Sequence, residues 1–446
     1  MFINDKGKKG YSVLLKSWES FYTRRLFHRI QDCWARPISS APGAYIDVME
    51  RSSNDDNCTL FTTGKSTKCL NLGSYNYLGF ADDWNSTCKE QVLKAVQKWP
   101  NSFCSSRMDL GTSVIHEQLE QLVADYVGKE AAIVYTMGYE TNSCTIPAIM
   151  GPGTLIVSDG LNHTSLVNGA RGSSSMIRVF RNNDIEHLEE ILREAIVNGQ
   201  PKHHRPWKKI LVMVEGIYSM EGSICKLAEI VQVCKKYKAY IYLDEAHSIG
   251  ALGRNGRGVC EYAGVNPEDI DIMMGTFTKS FGAMGGYIAA SKEIINYIKS
   301  TSSGLLHHAS MSPVVAQQII TAFSIIMGRD GTKVGRNKLD ALINNSNYFR
   351  SEMKRLGVHV YGDYDSPIIP IMIYFPAKIA AFSRECLKRG VAVVVVGFPA
   401  TSVLYSRARF CISAGHTKKD LDHAIQVIDE VTNLLCMKYK NSFIGR

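Results

Sequence analysis

At 446 residues the chain can hold one large α/β domain and a smaller companion, with ample material for a core. Its 51 Lys and Arg against 42 Asp and Glu leave +9, a modest excess, while 45% hydrophobic and 21% charged residues describe an ordinary folded globule. Disorder, collagen and coiled coil are excluded as descriptions of the whole.

The start is basic and aromatic, with Lys6, Lys8, Lys9, Lys16, Arg24, Arg25 and Arg29 among Trp18, Phe21, Tyr22, Phe27 and Trp34. It reads either as a solvated helix packing its aromatics on the body or as a segment lying on an anionic membrane or a partner. No secretory signal is recognisable, and the apolar run 13–15 is only three residues. No membrane-spanning run stands out, since 319–327 and 391–396 fall far short of about 20 apolar residues. The 12 cysteines are scattered without a CxxC pair, which argues against a zinc ribbon and for reduced thiols facing the cytosol. Nucleic acid is a poor fit: there is no zinc finger, aromatic ribonucleoprotein motif or long basic tract.

Three parts follow along the chain. Residues 1–70 form an arm, polar and loop-rich around 52–57, with a possible role in membrane or partner contact. Residues 71–310 form a large cofactor-binding domain, and 311–446 a small C-terminal domain. In the middle part, apolar runs at 131–135, 154–158, 176–180, 210–215, 239–244 and 270–275 predict buried strands. Periodic polar segments such as 187–197 and 227–236 predict helices between them. Continuous Val/Ile strands alternating with helices predict βαβ units and a mostly parallel sheet. Strands return at 368–375 and 391–396. Ligands of such sheets bind beyond the carboxyl ends of the strands, so residues there are the ones to examine.

The run AYIYLDEAHSIG (239–250) is a strand ending in Asp244, with His247 three residues on. A DExH helicase reading needs a GxxxxGK[ST] phosphate loop, and none occurs. The bland alternative is an Asp held by turn amides. The run GTFTKSFG (275–282) leads a second strand into a hydroxyl-rich turn carrying Lys279. A lysine at the mouth of an apolar sheet is desolvated, which lowers its pKa, and a partly neutral amine forms a Schiff base with an aldehyde. VYTMGYETN (134–142) is a strand, a glycine turn and a helix start, suited to a phosphate dianion. SDGLNH (158–163) sets His163 just past another strand, a weak motif alone.

Together these parts meet the needs of pyridoxal 5'-phosphate. Lys279 would take the aldehyde and Asp244 the pyridine nitrogen. Gly138 with Thr276 or Thr278 would hold the phosphate, His163 would stack on the ring, and His247 would reach the 3′-oxygen. No metal site is expected.

The runs LGSYNYLG (72–79), SDGLNH, DEAHSIG (244–250), GTFTKSFG and RFCISAGHT (409–417) resemble the α-oxoamine synthases, fold-type I pyridoxal phosphate enzymes. Within that family the chain looks most like the catalytic, lysine-bearing long chain base subunits of eukaryotes. FYTR (21–24), APGA (41–44), RPWKK (205–209), EGIYSMEG (215–222) and GFPAT (397–401) carry that narrower likeness. The resemblance implies an α/β aminotransferase-like fold with a large, mostly parallel seven-stranded sheet and a smaller C-terminal α/β domain. Its catalytic positions fall on Lys279, His163, Asp244 and His247. Ser219 matches a serine near the 3′-oxygen; Gly138, Tyr139 and Thr276 match phosphate-side positions; Arg409 matches the arginine that receives the substrate carboxylate.

The implied activity is decarboxylative condensation of L-serine with palmitoyl-CoA, giving 3-ketosphinganine, CoA and CO₂. The alternatives are a relative using glycine or alanine with another acyl-CoA, or a non-catalytic scaffold. An obligate lysine-less long chain base partner sharing an interface active site is implied, with small membrane regulatory subunits and residence on the cytosolic face of the endoplasmic reticulum. Three positions depart from the wider family. Gly397 stands where bacterial synthases carry an arginine, Ala309 where many relatives lend a threonine to the partner's phosphate, and Ser402 where the acyl-side loop usually has proline.

Overall fold

The computed structural model describes residues 26–398 and 400–439, together with Gly10. Most of the basic aromatic start, through Arg25, therefore lies outside the described residues, and only Phe27, Arg29 and Trp34 of that set fall within them. The strands are β1 (Tyr45–Ser52), β2 (Phe61–Asn71), β3 (Ala131–Tyr135), β4 (Leu155–Asp159), β5 (Met176–Phe180), β6 (Ile210–Glu215) and β7 (Tyr240–Asp244). They continue as β8 (Ile272–Thr276), β9 (Gly286–Ala290), β10 (Ile368–Tyr374), β11 (Val391–Ala392), β12 (Val394–Val396) and β13 (Ser406–Cys411).

Seven of them form one sheet in the order β3-β9-β8-β7-β6-β4-β5. The five from β8 to β5 run parallel, joined by helical crossovers, and β9 is antiparallel to both its neighbours. The expected mostly parallel seven-stranded sheet is thus present. The strand β9 is absent from the sequence reading. Its residues, GYIAA directly after Gly285, open like a glycine turn, yet every one is buried between β3 and β8.

Two further expectations change. The stretch 391–396 is not one strand: β11 pairs with β2 and β12 with β13, so the chain switches sheets at Val393. The loop-rich arm contains the β1–β2 hairpin, with Tyr45 opposite Leu70. The polar residues around 52–57 are its turn, where Asp55 accepts from the Thr59 amide at 2.8 Å.

The small unit packs β10, β12 and β13 against the helices Val334–Arg355, Pro376–Lys388 and Lys418–Leu434, with Phe349, Phe382 and Phe410 in its core. Thr417 and Asp420 start the last helix with a reciprocal capping box. The helix Pro313–Ile326, past position 310, contributes Ile319 and Phe323 to the large core.

That helix matters for the site. Phe277 and Phe281 bracket Lys279 and are fully buried. Phe281 stacks on Phe323 with ring centroids 4.2 Å apart, and Phe277 meets Phe323 edge-on. Burying each ring stabilises by about 1.5–3 kcal/mol, so the turn after β8 is fixed by aromatics on either side of the lysine.

Candidate active site

The carboxyl ends of the parallel strands bring the candidate residues to one edge. A cavity of 250 Å³ there is lined by Gly138, Tyr139, Asn142, His163, Ser165, Glu215, Asp244, His247, Thr276, Thr278 and Lys279, among others. Eight of the ten residues expected from sequence line it. The other two, Ser219 and Arg409, lie in a cluster beyond Tyr75 and do not line this cavity.

One wall is a helix start. The helix Gly138–Ile149 has no side-chain cap at Met137, so its first N–H groups and the positive end of its dipole are available to an anion. Gly138 permits the approach of β8, because a Cβ there would sit 2.7 Å from Thr276 Oγ1. Thr276 and Thr278 hydroxyls lie 2.8 Å apart. A glycine-floored, hydroxyl-rimmed helix terminus fits a phosphate dianion.

Opposite it, Asp244 is buried and held from both sides. Oδ1 accepts from the Ala246 amide at 2.8 Å, and Oδ2 accepts from Asn142 Nδ2 at 2.8 Å. Asn142 also donates to Ser165 Oγ at 2.9 Å and accepts from Tyr242 at 2.7 Å. Ser165 Oγ lies 2.8 Å from His163 Nδ1, and the Ser165 amide donates to the same nitrogen. A single network thus orients both the carboxylate and the histidine. His163 also donates its backbone N–H to Glu215, the cross-strand neighbour of Asp244.

The electrostatics follow from burial. Lys279 is pulled down to about 8, chiefly by desolvation, with Asp244 and Glu215 opposing. Burial, and next the Asp244 charge, pushes Glu215 well above the usual carboxyl range. Burial lowers His163 and drives His247 well below its ordinary value, with the charges of Lys279 and Arg409 adding to the effect on His247. Burial therefore favours the neutral form of both imidazoles. His247 Nδ1 is held by the Tyr77 hydroxyl at 2.8 Å.

On the far side of Lys279, its Nζ lies 5.6 Å from the Tyr75 ring centroid, and the Arg409 guanidinium lies 4.8 Å from the same centroid. Arg409 Nη1 reaches the Ser219 carbonyl at 3.4 Å and Met220 Sδ at 3.5 Å. Its Nε is buried with no acceptor among the described residues, an orphan donor that suits an incoming carboxylate.

Sequence reasoning missed Asn142, Ser165, Glu215, Tyr75 and Tyr77 as site residues. Asn142 carried a usable signal, since it sits one helical turn after Gly138 and faces the same way. Tyr77 and His247 are 170 residues apart, and no local pattern joins them.

A family model, aminotransferase class I and II, matches residues 67–428. Long chain base biosynthesis protein 2a of Oryza sativa subsp. japonica is 59% identical over 97% of this chain and 89% of its own length. Serine palmitoyltransferase 2 of Dictyostelium discoideum is 51% identical, covering 97% of this chain and 88% of the relative. A serine palmitoyltransferase solved with its pyridoxal phosphate internal aldimine superposes with a TM-score of 0.79 at 27% identity, over 92% of this chain and 94% of that one. The chain belongs to the aminotransferase class I and II family, among the long chain base biosynthesis proteins and serine palmitoyltransferases.

Proposed function

We propose that this chain is the lysine-bearing subunit of a serine C-palmitoyltransferase, joining L-serine to palmitoyl-CoA with loss of CoA and CO₂ to give 3-ketosphinganine. The observation that carries it is the convergence in one 250 Å³ cavity of a desolvated Lys279, a doubly held Asp244 and the Gly138 phosphate cradle. Relatives with serine palmitoyltransferase and long chain base names over nearly the whole chain support the substrate class.

Pyridoxal phosphate, when bound, supplies an aldehyde for an amine and a protonated ring that draws charge from the amino acid's Cα. The Gly138 and Tyr139 amides, with the Thr276 and Thr278 hydroxyls, would hold its phosphate. The Asp244 carboxylate would face the ring nitrogen, His163 would lie against the ring and His247 would reach the 3′-oxygen, while Ser219, the residue that the resemblance also sets near that oxygen, lies outside the cavity lining. Lys279 Nζ would be the amine that holds the aldehyde, and the same amine, once free, would be the base for the Cα proton of L-serine. Its lowered pKa leaves a useful neutral fraction near pH 7 to 8. Arg409 receives the serine carboxylate and, with His163, orients the Cα–H bond, which contributes rate through alignment. The new bond joins serine Cα to the acyl carbonyl carbon as the thioester C–S bond breaks and CoA leaves as its thiolate; the carboxylate then leaves as CO₂, and the electron pair left at Cα takes back a proton from Lys279.

The partner is a related, lysine-less long chain base subunit that completes the active site at a shared interface. An exposed apolar side chain in the cavity wall supports it: Met137 is 57% exposed. The complex sits on the cytosolic face of the endoplasmic reticulum, with small membrane subunits as further partners. Among the described residues no helix is long and apolar enough to cross a membrane.

The test is co-expression with a lysine-less subunit, then assay of L-serine, glycine and alanine against a series of acyl-CoAs. Long-chain 3-keto base from L-serine and C16 acyl-CoA is expected. Condensation of glycine or alanine with a short acyl-CoA by the chain alone would overturn the substrate assignment. At the cradle, Gly138→Ala places a Cβ against Thr276 Oγ1. Loss of one charge-assisted contact of about 1.5–3 kcal/mol gives an expected tenfold to hundredfold weaker hold on pyridoxal phosphate, read by titrating cofactor-free protein.

A further inference from the structure

Arg350 projects from the Val334–Arg355 helix into the protein and is fully buried, with no carboxylate partner among the described residues. Instead its guanidinium donates only to main-chain carbonyls. Nη1 reaches Tyr361 at 2.6 Å and Gly362 at 3.1 Å; Nη2 reaches Ser366 at 3.3 Å and Ile368 at 2.9 Å. A buried cation is costly, and an apolar side chain of similar size is often as stable. What this one adds is shape: a planar fork fixes the four carbonyls of one loop, 361–368, relative to each other.

That loop docks on the turn 218–224. Asp363 accepts the Ile224 amide at 2.8 Å and donates its own N–H to the Gly222 carbonyl at 3.1 Å. The two backbones meet glycine to glycine. A Cβ on Gly362 would lie 2.7 Å from the Gly222 carbonyl oxygen, and one on Gly222 would lie 2.4 Å from that of Ile368. The same turn supplies the Ser219 carbonyl and Met220 sulfur that hold Arg409, and the Met220 carbonyl and Glu221 that hold Arg407. A second route is the strand itself. Ile368 opens β10, and Pro370 two residues on is paired with Arg409.

We infer that Arg350 is a positioning residue for Arg409, setting its guanidinium for the amino-acid carboxylate through the clamped loop 361–368 and the turn 218–224. The inference rests on the reading of Arg409 given above. The experiment uses the full chain with its partner subunit and cofactor. L-Serine binding is followed from the absorbance of the bound cofactor, and KM is measured for both substrates.

Arg350→Lys keeps the charge and loses the fork. Asp363→Ala removes the side-chain half of the link between loop and turn at an exposed position, so it tests the same coupling if Arg350→Lys does not fold. Each is expected to raise the L-serine Kd and KM about tenfold, with acyl-CoA KM and the resting cofactor spectrum unchanged. Asp363→Asn, which keeps an acceptor, is expected to restore serine binding to within twofold. Arg409→Lys separates the two claims. If it leaves serine binding intact, the reading of Arg409 falls. If it weakens binding while Asp363→Ala and folded Arg350→Lys shift only the melting temperature, or raise both KM values alike, the positioning role alone is overturned.

Discussion

Lys279→Ala is expected to abolish condensation, by at least about 10³-fold, because in the proposed function one amine is both the attachment for the aldehyde and the base at Cα. Borohydride reduction of the wild-type holoenzyme should tag the peptide containing Lys279, and the variant should yield no tagged peptide. A tag on any other lysine would sink the assignment. The pH dependence has a definite sign. Lys279 is held at about 8 against its usual 10.5 by desolvation, so the neutral amine is available above about pH 8. Capture of pyridoxal phosphate by cofactor-free protein should therefore quicken with an inflection near pH 8, not 10.5.

The same shift makes a stability statement. Below pH 8 the amine is charged in both folded and unfolded states, and the folded state bears the full penalty of holding a desolvated cation. Between pH 8 and 10.5 the unfolded chain binds more protons, so wild-type stability rises with pH through that window. Cofactor-free Lys279→Ala should thus melt above the wild type at pH 7, with the gap narrowing from pH 8 towards 10.5. Melting curves at pH 7, 9 and 10 decide it. A variant that melts lower at pH 7 would contradict the buried-amine account.

Asp244→Asn is expected to lower kcat by at least about 10²-fold, a common effect of removing one preorganised electrostatic group. The substitution removes the carboxylate proposed to face the ring nitrogen. It also leaves a donor facing a donor, since the aspartate accepts from both Ala246 and Asn142 and an amide has one oxygen. That mismatch costs about 1–3 kcal/mol. Asn142→Ala removes one of those donors while keeping the Asp244 charge, so it shows how much of the effect belongs to the charge. Exchange of the L-serine α-proton in deuterated water is the direct readout. Exchange that persists at the wild-type rate in Asp244→Asn would remove Asp244 from the proposed role.

Much of the site was legible because its parts are local. Asp244, Lys279, Gly138 and His163 each follow an apolar run that needs only period and length to be read as a buried strand, and parallel sheets place ligands past such ends. Elsewhere the local signal misled. β9 opens on the Gly285–Gly286 pair, which reads as a turn, although Tyr287 and Ile288 just behind it are fully buried in the sheet. Residues 391–396 look uniform, and what divides them is which neighbours they pair with, β2 or β13.

What the chain determined by itself is the chemistry at the ends of strands: which carboxylate, which amine and which glycine turn stand there. Only the tertiary structure decided how those groups are held and charged. Tyr77 meets His247 from 170 residues away. Glu215 becomes a neighbour of Asp244 only when β6 and β7 pair, and Arg409 reaches the turn at Ser219 across 190 residues. Hydrogen bonds and desolvation depend on distance in space, and a distance in space is set by packing among elements that carry no local trace of one another.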